Sequence, residues 1–530
     1  MTFKKCKNGT AKNIGNLLDE LETRRNSLLD EGRAEEIKKQ HEKGKLTARE
    51  RINLLVDEGS FTELGMLVTH SGMEEMENLH APADGIIVGI GEIDGRPVAI
   101  LANDFTVLGG SIGHKGGEKT ARIVKIAKKN GYPLILLLEG GGHRIQEGLD
   151  SKHFAKGSGE EFLDMVLMSG WVPTIGAIMG PGFAGPSNFA SLCDFIPIVE
   201  NQGTMGIAGP KLVKAALGED TTNEKLGGAK FHTEVTGISD IAVKNDEECI
   251  EVIKTFLSYL PSNAAEDPPQ KEMVEHLELD EELLSYIPEN LNQPYDMHDI
   301  LNHIMDRDSI FELKPNYAKN MITAFARIDG KPVGIVANQP NSMGGILDTP
   351  ACKKAARFVS FCDAFHLPII SFIDVPGFLP GSSSEKTGIV RYGGKLLYEF
   401  AQTTVPKMSI IIRKAYGLAY LAMAGGRALD ADLTVAWPSA DICAMGIEGA
   451  VDVAFQKQYE NTEDPVKARQ DLIDKYRSQT GAIRGGEGFG IDDVIHPLET
   501  RRLIIQTLKH SVGKDISIFP SKRKHGISPI

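Results

Sequence analysis

The sequence contains one pattern twice, at an offset of 235 residues (328 − 93). IDGRPV begins at Ile93 and is followed by Asn103, while IDGKPV begins at Ile328 and is followed by Asn338. The register holds through the next predicted helix and strand, and the matching pairs include Gly109 and Gly344, Lys119 and Lys354, Pro133 and Pro368, Glu139 and Asp374, and Gly142 and Gly377. Chance similarity does not keep register over such a length. The sequence therefore predicts a duplicated domain, with two related sites or one site built between the copies.

The length and composition fit two globular domains. A chain of 530 residues is too long for one hydrophobic core. The proline-rich acidic stretch 261–295 is typical of a connection, so we expect domains at 1–265 and 266–530. The net charge of −14 argues against nucleic-acid binding, without excluding a phosphate-bearing ligand. No apolar stretch approaches the length of a membrane span, so we expect no membrane insertion.

The cysteines and the N-terminal residues indicate the compartment. The six cysteines form no CxxC pair and no regular framework, which is typical of reduced thiols. The first residues include several lysines but no apolar segment, so they are not a secretory signal. We therefore expect a cytoplasmic location, with the mitochondrial matrix as the less favoured alternative.

Alternating and continuous apolar runs predict an α/β fold. In the first copy, alternating residues on either side of IDGRP (86–90 and 98–102) predict a β-hairpin, followed by a helix and a buried strand. The second copy repeats this order. The predicted segments are helix 119–130 and strand 134–138 in the first copy, hairpin 321–325 with 333–337, helix 353–365 and strand 369–373 in the second, further strands at 174–179 and 408–412, and amphipathic helices within 14–56.

Two kinds of glycine-rich loop recur at the ends of predicted strands. The first is EGGGHR at 139–144, answered by DVPGF at 374–378, and the second is GPGFAGP at 180–186, answered by RKAYGLAY at 413–420. A loop that leads into a helix points backbone N–H groups at its ligand, which suits an oxyanion. For one such loop, glycines that only close a tight turn are the simpler interpretation. Because four such loops occur, two in each copy and in matching register, we favour a role in ligand binding over simple turn closure.

Motifs of several other enzyme classes are missing from the sequence. It contains no P-loop, no HExxH, no spaced Cys/His set and no G-x-S-x-G elbow, so we expect no metal on this chain. His143 and Arg144 follow three glycines and suit a base and a cation. For His143, an ordinary polar loop residue is an equally good interpretation.

At these residues the chain resembles the carboxyltransferase (β) subunits of biotin-dependent acyl-CoA carboxylases, of the propionyl-CoA and methylcrotonyl-CoA carboxylase type. The resemblance covers essentially the whole chain. It rests on the stretches KGKLTARERINLLVDEGSF (43–61), NDFTVLGGSIG (103–113), RIQEG (144–148), GEDTTNEKLGGA (218–229), FARIDGKPVGIVANQP (325–340), AARFVSFCDAF (355–365), DVPGFLPG (374–381), GGKLLYEFA (393–401), AWPSADICAMGIEGAV (436–451) and KRKHGISPI (522–530).

The resemblance implies a fold and a set of partners. It implies two tandem crotonase-like αββα-superhelix domains per subunit and a hexamer, with the active site between the N-terminal domain of one subunit and the C-terminal domain of another. The acyl-CoA thioester binds to the first domain and carboxybiotin to the second, and the implied reaction moves the carboxyl group from carboxybiotin to the α (or vinylogous γ) carbon of the acyl-CoA. The implied partners are a biotin carboxyl carrier protein, which brings biotin in trans, and a separate biotin carboxylase, or one subunit that fuses both. The chain itself lacks an AMKM-like biotinylation site and an ATP-binding loop.

The resemblance also assigns roles to individual residues. Ala184 and Gly185 supply N–H groups for the thioester oxyanion, and Leu418 and Ala419 supply them for the ureido oxygen of biotin. No protein nucleophile is then needed. The implied cofactor-binding residues are Gly141, Gly142, Arg144, Gly377, Phe378, Tyr416 and Gly417, and the implied acyl-pocket residues are Phe183, Pro186 and Leu421.

The chain departs from the family pattern where the substrate is selected. The usual DSGGAR, GPCAGGAVYSP and YGGAY stand here as EGGGHR, GPGFAGPSNFA and YGLAY. N–H donors survive, since only proline lacks one, but the lost glycines restrict the backbone. The acyl group is therefore left open. Two alternatives are also open: the α subunit of a biotin-dependent acyl-CoA decarboxylase, which runs the same half-reaction backwards, and an inactive scaffold.

Overall fold

The computed structural model of the protein describes residues 14–70, 76, 79–149, 151, 159–272, 281–427 and 429–511. The chain forms two compact units. Residues up to Phe231 together with Ala242–Lys254 form the first, and His232–Ile241 with the residues from Thr255 onward form the second. The proposed domains 1–265 and 266–530 each contain one large sheet. The stretch 522–530, which contributes to the family resemblance, lies outside the described residues.

The strands occur in two series along the chain. The first series is β1 (Thr62–Leu64), β2 (Ile86–Ile93), β3 (Arg96–Asn103), β4 (Leu134–Leu138), β5 (Thr174–Ile178), β6 (Pro181–Phe183), β7 (Pro197–Val199), β8 (Thr204–Gly206) and β9 (Ile241–Val243). The second series is β10 (Phe311–Leu313), β11 (Met321–Ile328), β12 (Lys331–Asn338), β13 (Ile369–Val375), β14 (Lys407–Tyr416), β15 (Leu433–Ala436), β16 (Asp441–Cys443) and β17 (Asp493–Val494).

The helices alternate with these strands. In the first half they are α1 (Ile14–Leu28), α2 (Ala34–His41), α3 (Ala48–Leu55), α4 (His114–Asn130), α5 (Ile145–Gly148), α6 (Glu160–Met168), α7 (Gly185–Ala190), α8 (Pro210–Leu217), α9 (Asn223–Gly227) and α10 (Asp246–Ser258). In the second half they are α11 (Glu282–Ser285), α12 (Met297–Ile304), α13 (Thr349–Ala364), α14 (Ser382–Lys386), α15 (Ile389–Gln402), α16 (Gly417–Ala422), α17 (Ile447–Glu460), α18 (Pro465–Arg477), α19 (Ala482–Glu487) and α20 (Thr500–His510).

Each sheet starts antiparallel and continues parallel. The first has the order β1-β2-β3-β4-β5-β7-β9 and the second β10-β11-β12-β13-β14-β15-β17, with β16 paired to β14 and a separate β6–β8 pair. The contacts β3–β4, β4–β5, β12–β13, β13–β14 and β14–β15 are parallel, which requires the helical crossovers that lie between these strands in the chain. The predicted α/β fold class is confirmed. The predicted strands are also confirmed; β13 and β14 extend beyond them by two and four residues at their carboxyl ends.

The duplicated IDG turn closes a hairpin in each unit, as the sequence predicts. Asp94 and Gly95 both have positive φ, at 50° and 71°, which gives the turn the twist that a two-residue hairpin needs. The Asp57 carboxylate accepts hydrogen bonds from both of their N–H groups. In the second unit, Asp306 accepts in the same way from the backbone of the matching turn.

A buried lysine occupies the same position in both units. The Lys119 ammonium donates to the carbonyls of Ala83 and Ile86, and the Lys354 ammonium donates to those of Lys314, Tyr317 and Met321. Burial lowers the pKa of each lysine to about 8. Each lysine donates hydrogen bonds to carbonyl groups near the start of the hairpin. The lysines thereby attach α4 to the first hairpin and α13 to the second.

Apolar side chains of the first sheet pack against α4, α6 and α7, and those of the second sheet pack against α11, α12 and α20. All residues of β4 and β13 are buried; β4 is entirely apolar, whereas β13 also buries Ser371 and Asp374. The segment 14–56 forms α1, α2 and α3, and Thr47 begins α3 with a capping box to Glu50. Within the described ranges, no helix is both long and apolar enough to cross a membrane.

Candidate functional site

The loop predicted to bear the donors has the same backbone construction in both units. Strand β6 pairs in parallel with β8 and is followed by Ala184, whose φ is 62°. Strand β14 pairs in parallel with β16 and is followed by Gly417, whose φ is 61°. A short helix begins at Gly185 in the first loop and at Gly417 in the second. Ala184, Gly185 and Pro186 therefore correspond in register to Gly417, Leu418 and Ala419.

The two loops differ in the N–H groups that they leave available. In the first, the Ala184 N–H donates to the Gly206 carbonyl at 2.9 Å, and Pro186 has no N–H. The Gly185 N–H has no acceptor among the described residues. A helix leaves its first N–H groups unpaired, so Gly185 is the free donor of this loop. The prediction that Ala184 also donates to the substrate stays a prediction, and its N–H would have to leave Gly206.

The second loop leaves both predicted donors available. Neither Leu418 nor Ala419 has an acceptor for its N–H within the described ranges. The Ala419 side chain is buried, whereas Leu418 is 59% exposed. The turn before them needs glycine, because a Cβ on Gly417 would lie 2.9 Å from the Ala444 carbonyl oxygen. Gly417 therefore permits the close packing that sets the direction of the following N–H groups.

The EGGGHR loop of the first unit meets the donor loop at Gly142. A Cβ on Gly142 would lie 3.1 Å from both the Ala184 Cβ and the Gly185 nitrogen, so only glycine allows this approach. The Gly140 N–H donates to the Pro181 carbonyl at 2.5 Å, which ties the two loops together a second time. Gly141 is exposed and has open space around it. Gly142 thus borders the free Gly185 donor, as its predicted cofactor-binding role requires, although that role is untested.

Arg144 lies in a buried ion-pair cluster. Its side chain is 2% exposed, and it pairs with Asp84 at 2.5 Å and Glu147 at 2.9 Å. The other guanidinium nitrogens donate to Ser111 and to the Asp84 carbonyl. All three guanidinium nitrogens therefore have protein acceptors. Arg144 holds the EGGGHR loop against the start of α4, and its predicted contact with a cofactor stays a prediction.

His143 sits beside this cluster at the edge of a cavity of about 230 Å³. The cavity is also lined by His114, Glu118, Glu147 and Ile112, among others. Burial lowers the pKa of His143, so its imidazole is neutral near pH 7. A neutral imidazole can serve as a base. Both interpretations of His143 from the sequence, functional base and ordinary loop residue, therefore stay open.

The second unit repeats the geometry of the EGGGHR loop at DVPGF. The Leu347 N–H donates to the Gly377 carbonyl at 3.0 Å, just as the Ile112 N–H donates to the Gly142 carbonyl at 2.8 Å. Phe378 is partly buried, and its ring packs so closely on Gly393 of α15 that a Cβ there would lie 2.9 Å from it. Gly377 and Phe378 are thus the counterparts of Gly142 and His143, and their binding role is not tested.

The three predicted acyl-pocket residues have different surroundings. Phe183 is partly buried and packs against Gly206 and Gly209, and Pro186 is buried in the first turn of α7. Leu421 is partly buried in α16, with its side chain 3.7 Å from the position that a Cβ on Gly426 would take. Phe183 and Pro186 belong to the first unit and Leu421 to the second. Their role in selecting the acyl group stays a prediction.

A buried charge network beneath the first donor loop was not predicted. Glu139, at the end of β4, is fully buried and pairs with Lys45 and with Arg51 at 2.7 Å. Arg51 pairs in turn with Asp246 at 2.8 Å. Gly180 packs directly on Glu139, since a Cβ there would lie 2.4 Å from the carboxyl carbon. The sequence signal was the register match of Glu139 with Asp374, which pairs with Arg413 at 3.0 Å in the second unit.

Ala184 is strained, and replacing it with glycine is expected to stabilise the protein by about 1 kcal/mol. Its φ of 62° and ψ of −113° lie where an L side chain is disfavoured. The measurement is the thermal unfolding midpoint of the full chain, which should rise. The matched control is Ala190→Gly at the end of α7, the helix that follows Ala184, where a buried methyl group is lost and the midpoint should fall. If the unfolding midpoint fell in both variants, Ala184 would not be strained.

The comparisons with known proteins identify the family of the chain. The carboxyl transferase domain family matches residues 39–527. The chain therefore belongs to this family, the carboxyltransferases of biotin-dependent acyl-CoA carboxylases. It is 43% identical over 520 residues to the propionyl-CoA carboxylase carboxyltransferase subunit of Haloferax mediterranei, covering 97% of this chain and 99% of the relative. It is 41% identical over 504 residues to the methylmalonyl-CoA decarboxylase subunit alpha of Veillonella parvula, covering 94% and 96%.

A solved structure confirms the expected crotonase-like fold. The transcarboxylase 12S structure, a hexamer with methylmalonyl-CoA and methylmalonic acid bound, has a TM-score of 0.92 and 38% identity, covering 99% of this chain and all of that one. The chain is thus an enzyme subunit, and the alternative of an inactive scaffold is dropped. Among the described residues, no group of three or more His, Cys, Asp or Glu side chains is placed to hold a metal ion.

Proposed function

We propose that the chain moves a carboxyl group from biotin on a separate carrier protein to the α carbon of a short acyl-CoA, with propionyl-CoA as the acceptor. The main support is the pair of duplicated loops that end in free N–H donors, Gly185 in one unit and Leu418 with Ala419 in the other. Sequence identities of about 40% to propionyl-CoA carboxylase β chains support propionyl-CoA as the acceptor.

Gly185 acts on the acyl-CoA. Its N–H donates to the thioester carbonyl oxygen, which gains negative charge as the α-proton leaves. A fixed donor stabilises this charge by about 3 kcal/mol more in the transition state than in the ground state. Gly142, which borders this nitrogen, keeps the approach open because it has no side chain.

Leu418 and Ala419 act on biotin. Carboxylated biotin, when bound, supplies the carboxyl carbon and then the base that takes the α-proton. The two N–H groups donate to the ureido oxygen, where negative charge collects as the carboxyl group leaves. The loop suits this group, since its donors are unpaired and Gly417 holds the turn close to Ala444.

The proposed assembly is a hexamer in the cytosol that works with a biotin carboxylase and a biotin carrier, on one partner chain or two. The hexameric transcarboxylase 12S structure supports the oligomeric state. A second candidate is decarboxylation in the opposite direction, supported by the 41% identity to a methylmalonyl-CoA decarboxylase α subunit. Microscopic reversibility asks for the same site in both directions. Reconstitution with a biotin carboxylase, ATP and labelled bicarbonate separates the two.

The test of the proposed function uses the full chain with free biotin. Methylmalonyl-CoA labelled in its carboxyl group should transfer the label to biotin. Malonyl-CoA should be a poorer carboxyl donor. Matched forward reactions would compare acetyl-, propionyl- and methylcrotonyl-CoA with a charged carrier. Absence of transfer with every acyl-CoA, in a correctly assembled protein, would refute the proposal.

Leu421 is expected to select among acyl groups. Leu421→Ala should change the relative kcat/KM for acetyl-, propionyl- and methylcrotonyl-CoA by up to about 100-fold, since one methylene in an apolar pocket is worth about 1–3 kcal/mol. Leu421→Asp should penalise the larger apolar groups further. The matched control is Leu472→Ala, a partly buried leucine of α18. If all three substrates fall by one factor, Leu421 supports the fold and does not select the substrate.

A further inference from the structure

Asp441 is a buried carboxylate beside the biotin-side donors. It is 9% exposed, and its side chain accepts a hydrogen bond of 2.6 Å from the Tyr416 hydroxyl. Within the described ranges this hydroxyl is its one side-chain hydrogen-bond partner. A buried carboxyl group needs hydrogen-bond donors, and Tyr416 supplies one to Asp441.

The bond spans the two strands that build the donor loop. Tyr416 ends β14 and directly precedes Gly417, Leu418 and Ala419, while Asp441 begins β16. In the parallel pairing of these strands, Tyr416 lies opposite Cys443, so the phenol reaches back along β16 to Asp441. The Tyr416 ring is also nearly buried, at 8% exposure. The bond therefore fixes the residue from which the donor loop departs.

The first unit provides an internal comparison. The register of β6 and β8 gives Phe183 the position of Tyr416 and Thr204 the position of Asp441. Phenylalanine has no hydroxyl, and the buried Thr204 hydroxyl has no hydrogen-bond partner. That loop is held instead by Ser187, which accepts from the Gly206 N–H at 2.8 Å and donates to the Gly182 carbonyl at 2.5 Å. The Tyr–Asp bond is thus peculiar to the biotin side and is not a requirement of the fold.

We infer that Asp441 is a positioning residue for carboxyl transfer: through Tyr416 it holds the Leu418 and Ala419 N–H groups in line with the ureido oxygen of biotin. The inference rests on the proposed function. The packing of α16, in which Ala419, Tyr420 and Ala422 are buried, holds the far side of the loop, and Gly417 meets Ala444 just after β16. The Tyr416–Asp441 bond is the side-chain hydrogen bond that ties the start of the loop to β16. Its loss shifts the start of the loop, and a donor displaced by about 1 Å costs about 100-fold in rate.

The experiment measures carboxyl transfer from methylmalonyl-CoA to free biotin with the full chain. Tyr416→Phe should lower kcat by about 10- to 100-fold and leave the KM for the acyl-CoA unchanged, because the thioester binds at the other loop. Asp441→Asn should retain most activity, since its amide oxygen still accepts from Tyr416, whereas Asp441→Leu should lose it. The matched control is Tyr459→Phe, which removes a Tyr–Asp bond of 3.0 Å to Asp452 on α17 and should change nothing.

A double variant separates positioning from stability. Tyr416→Phe with Asp441→Leu leaves no unpaired carboxylate, so its melting temperature should return towards that of the wild type while kcat stays low. Recovery of kcat with the melting temperature, or a wild-type kcat in Tyr416→Phe, would overturn the inference. Amide exchange in 417–422 provides a second readout without turnover: it should accelerate in Tyr416→Phe and not in Tyr459→Phe. An inactive wild type would instead refute the proposed function, and the exchange result would then show only whether the Tyr416–Asp441 bond orders the donor loop.

Discussion

Replacing Ala419 with proline is expected to lower the kcat of carboxyl transfer by about 100- to 1000-fold while the fold persists. Proline deletes one of the two N–H groups aimed at the ureido oxygen and leaves that of Leu418. Proline is tolerated in the first turn of a helix, and Pro186 occupies the register-equivalent position in the first unit. The loss should therefore be catalytic.

The measurement is transfer of labelled carboxyl to free biotin, with circular dichroism and light scattering on the same samples. Ala419→Gly, which keeps the N–H and removes only a methyl group, is the matched control and should stay within about 10-fold of wild type. If the proline variant assembles normally and turns over at the wild-type rate, the loop 416–419 does not bind the ureido oxygen.

Replacing Arg51 with methionine is expected to destabilise the first unit by about 3–5 kcal/mol. Arg51 is 1% exposed and pairs with Glu139 and Asp246, both of which are buried. Methionine fills much of the same volume but leaves Asp246 without a cation, and only Lys45 remains for Glu139. An uncompensated buried carboxylate is far more costly than an exposed one.

Calorimetry of the full chain should resolve this effect. A transition assigned to the first unit should move down by several degrees, and that of the second unit should not. The matched control is Arg24→Met, whose partner Glu20 is exposed, and for which a change below about 0.5 kcal/mol is expected. Equal shifts for Arg51→Met and Arg24→Met would mean that the buried network contributes no more than a surface pair.

The internal repeat explains why so much of the fold could be predicted. Hairpins, buried strands and crossover helices depend on local pattern and turn chemistry, and both copies report the same pattern. The residues that form the turn, Asp94 with Gly95 and Asp329 with Gly330, have the positive φ that the IDG sequence implies. The N–H groups of Leu418 and Ala419 are free because any helix start leaves such groups unpaired.

The features of the candidate site that the sequence did not predict depend on contacts between residues that are distant in sequence. Nothing near Ala184 indicates that Gly206, on a three-residue strand, accepts its N–H. Arg144 looks available for a ligand in the sequence, but Asp84, sixty residues earlier, pairs with it in the interior. The three-residue strands β8 and β16 are too short to give a periodic signal, and they are the elements that orient both donor loops.

The likeness of the two hairpins in turn sequence and strand length affects how the chain reaches its native state. Strands β2–β3 and β11–β12 carry matching turns and matching lengths, so each can pair with the wrong crossover strand during refolding of the complete chain. Misassembly between similar domains is a characteristic kinetic trap of repeated sequences. On the ribosome the first copy folds before the second has emerged, which removes the competitor. Vectorial synthesis should therefore give a higher yield of native protein than dilution from denaturant.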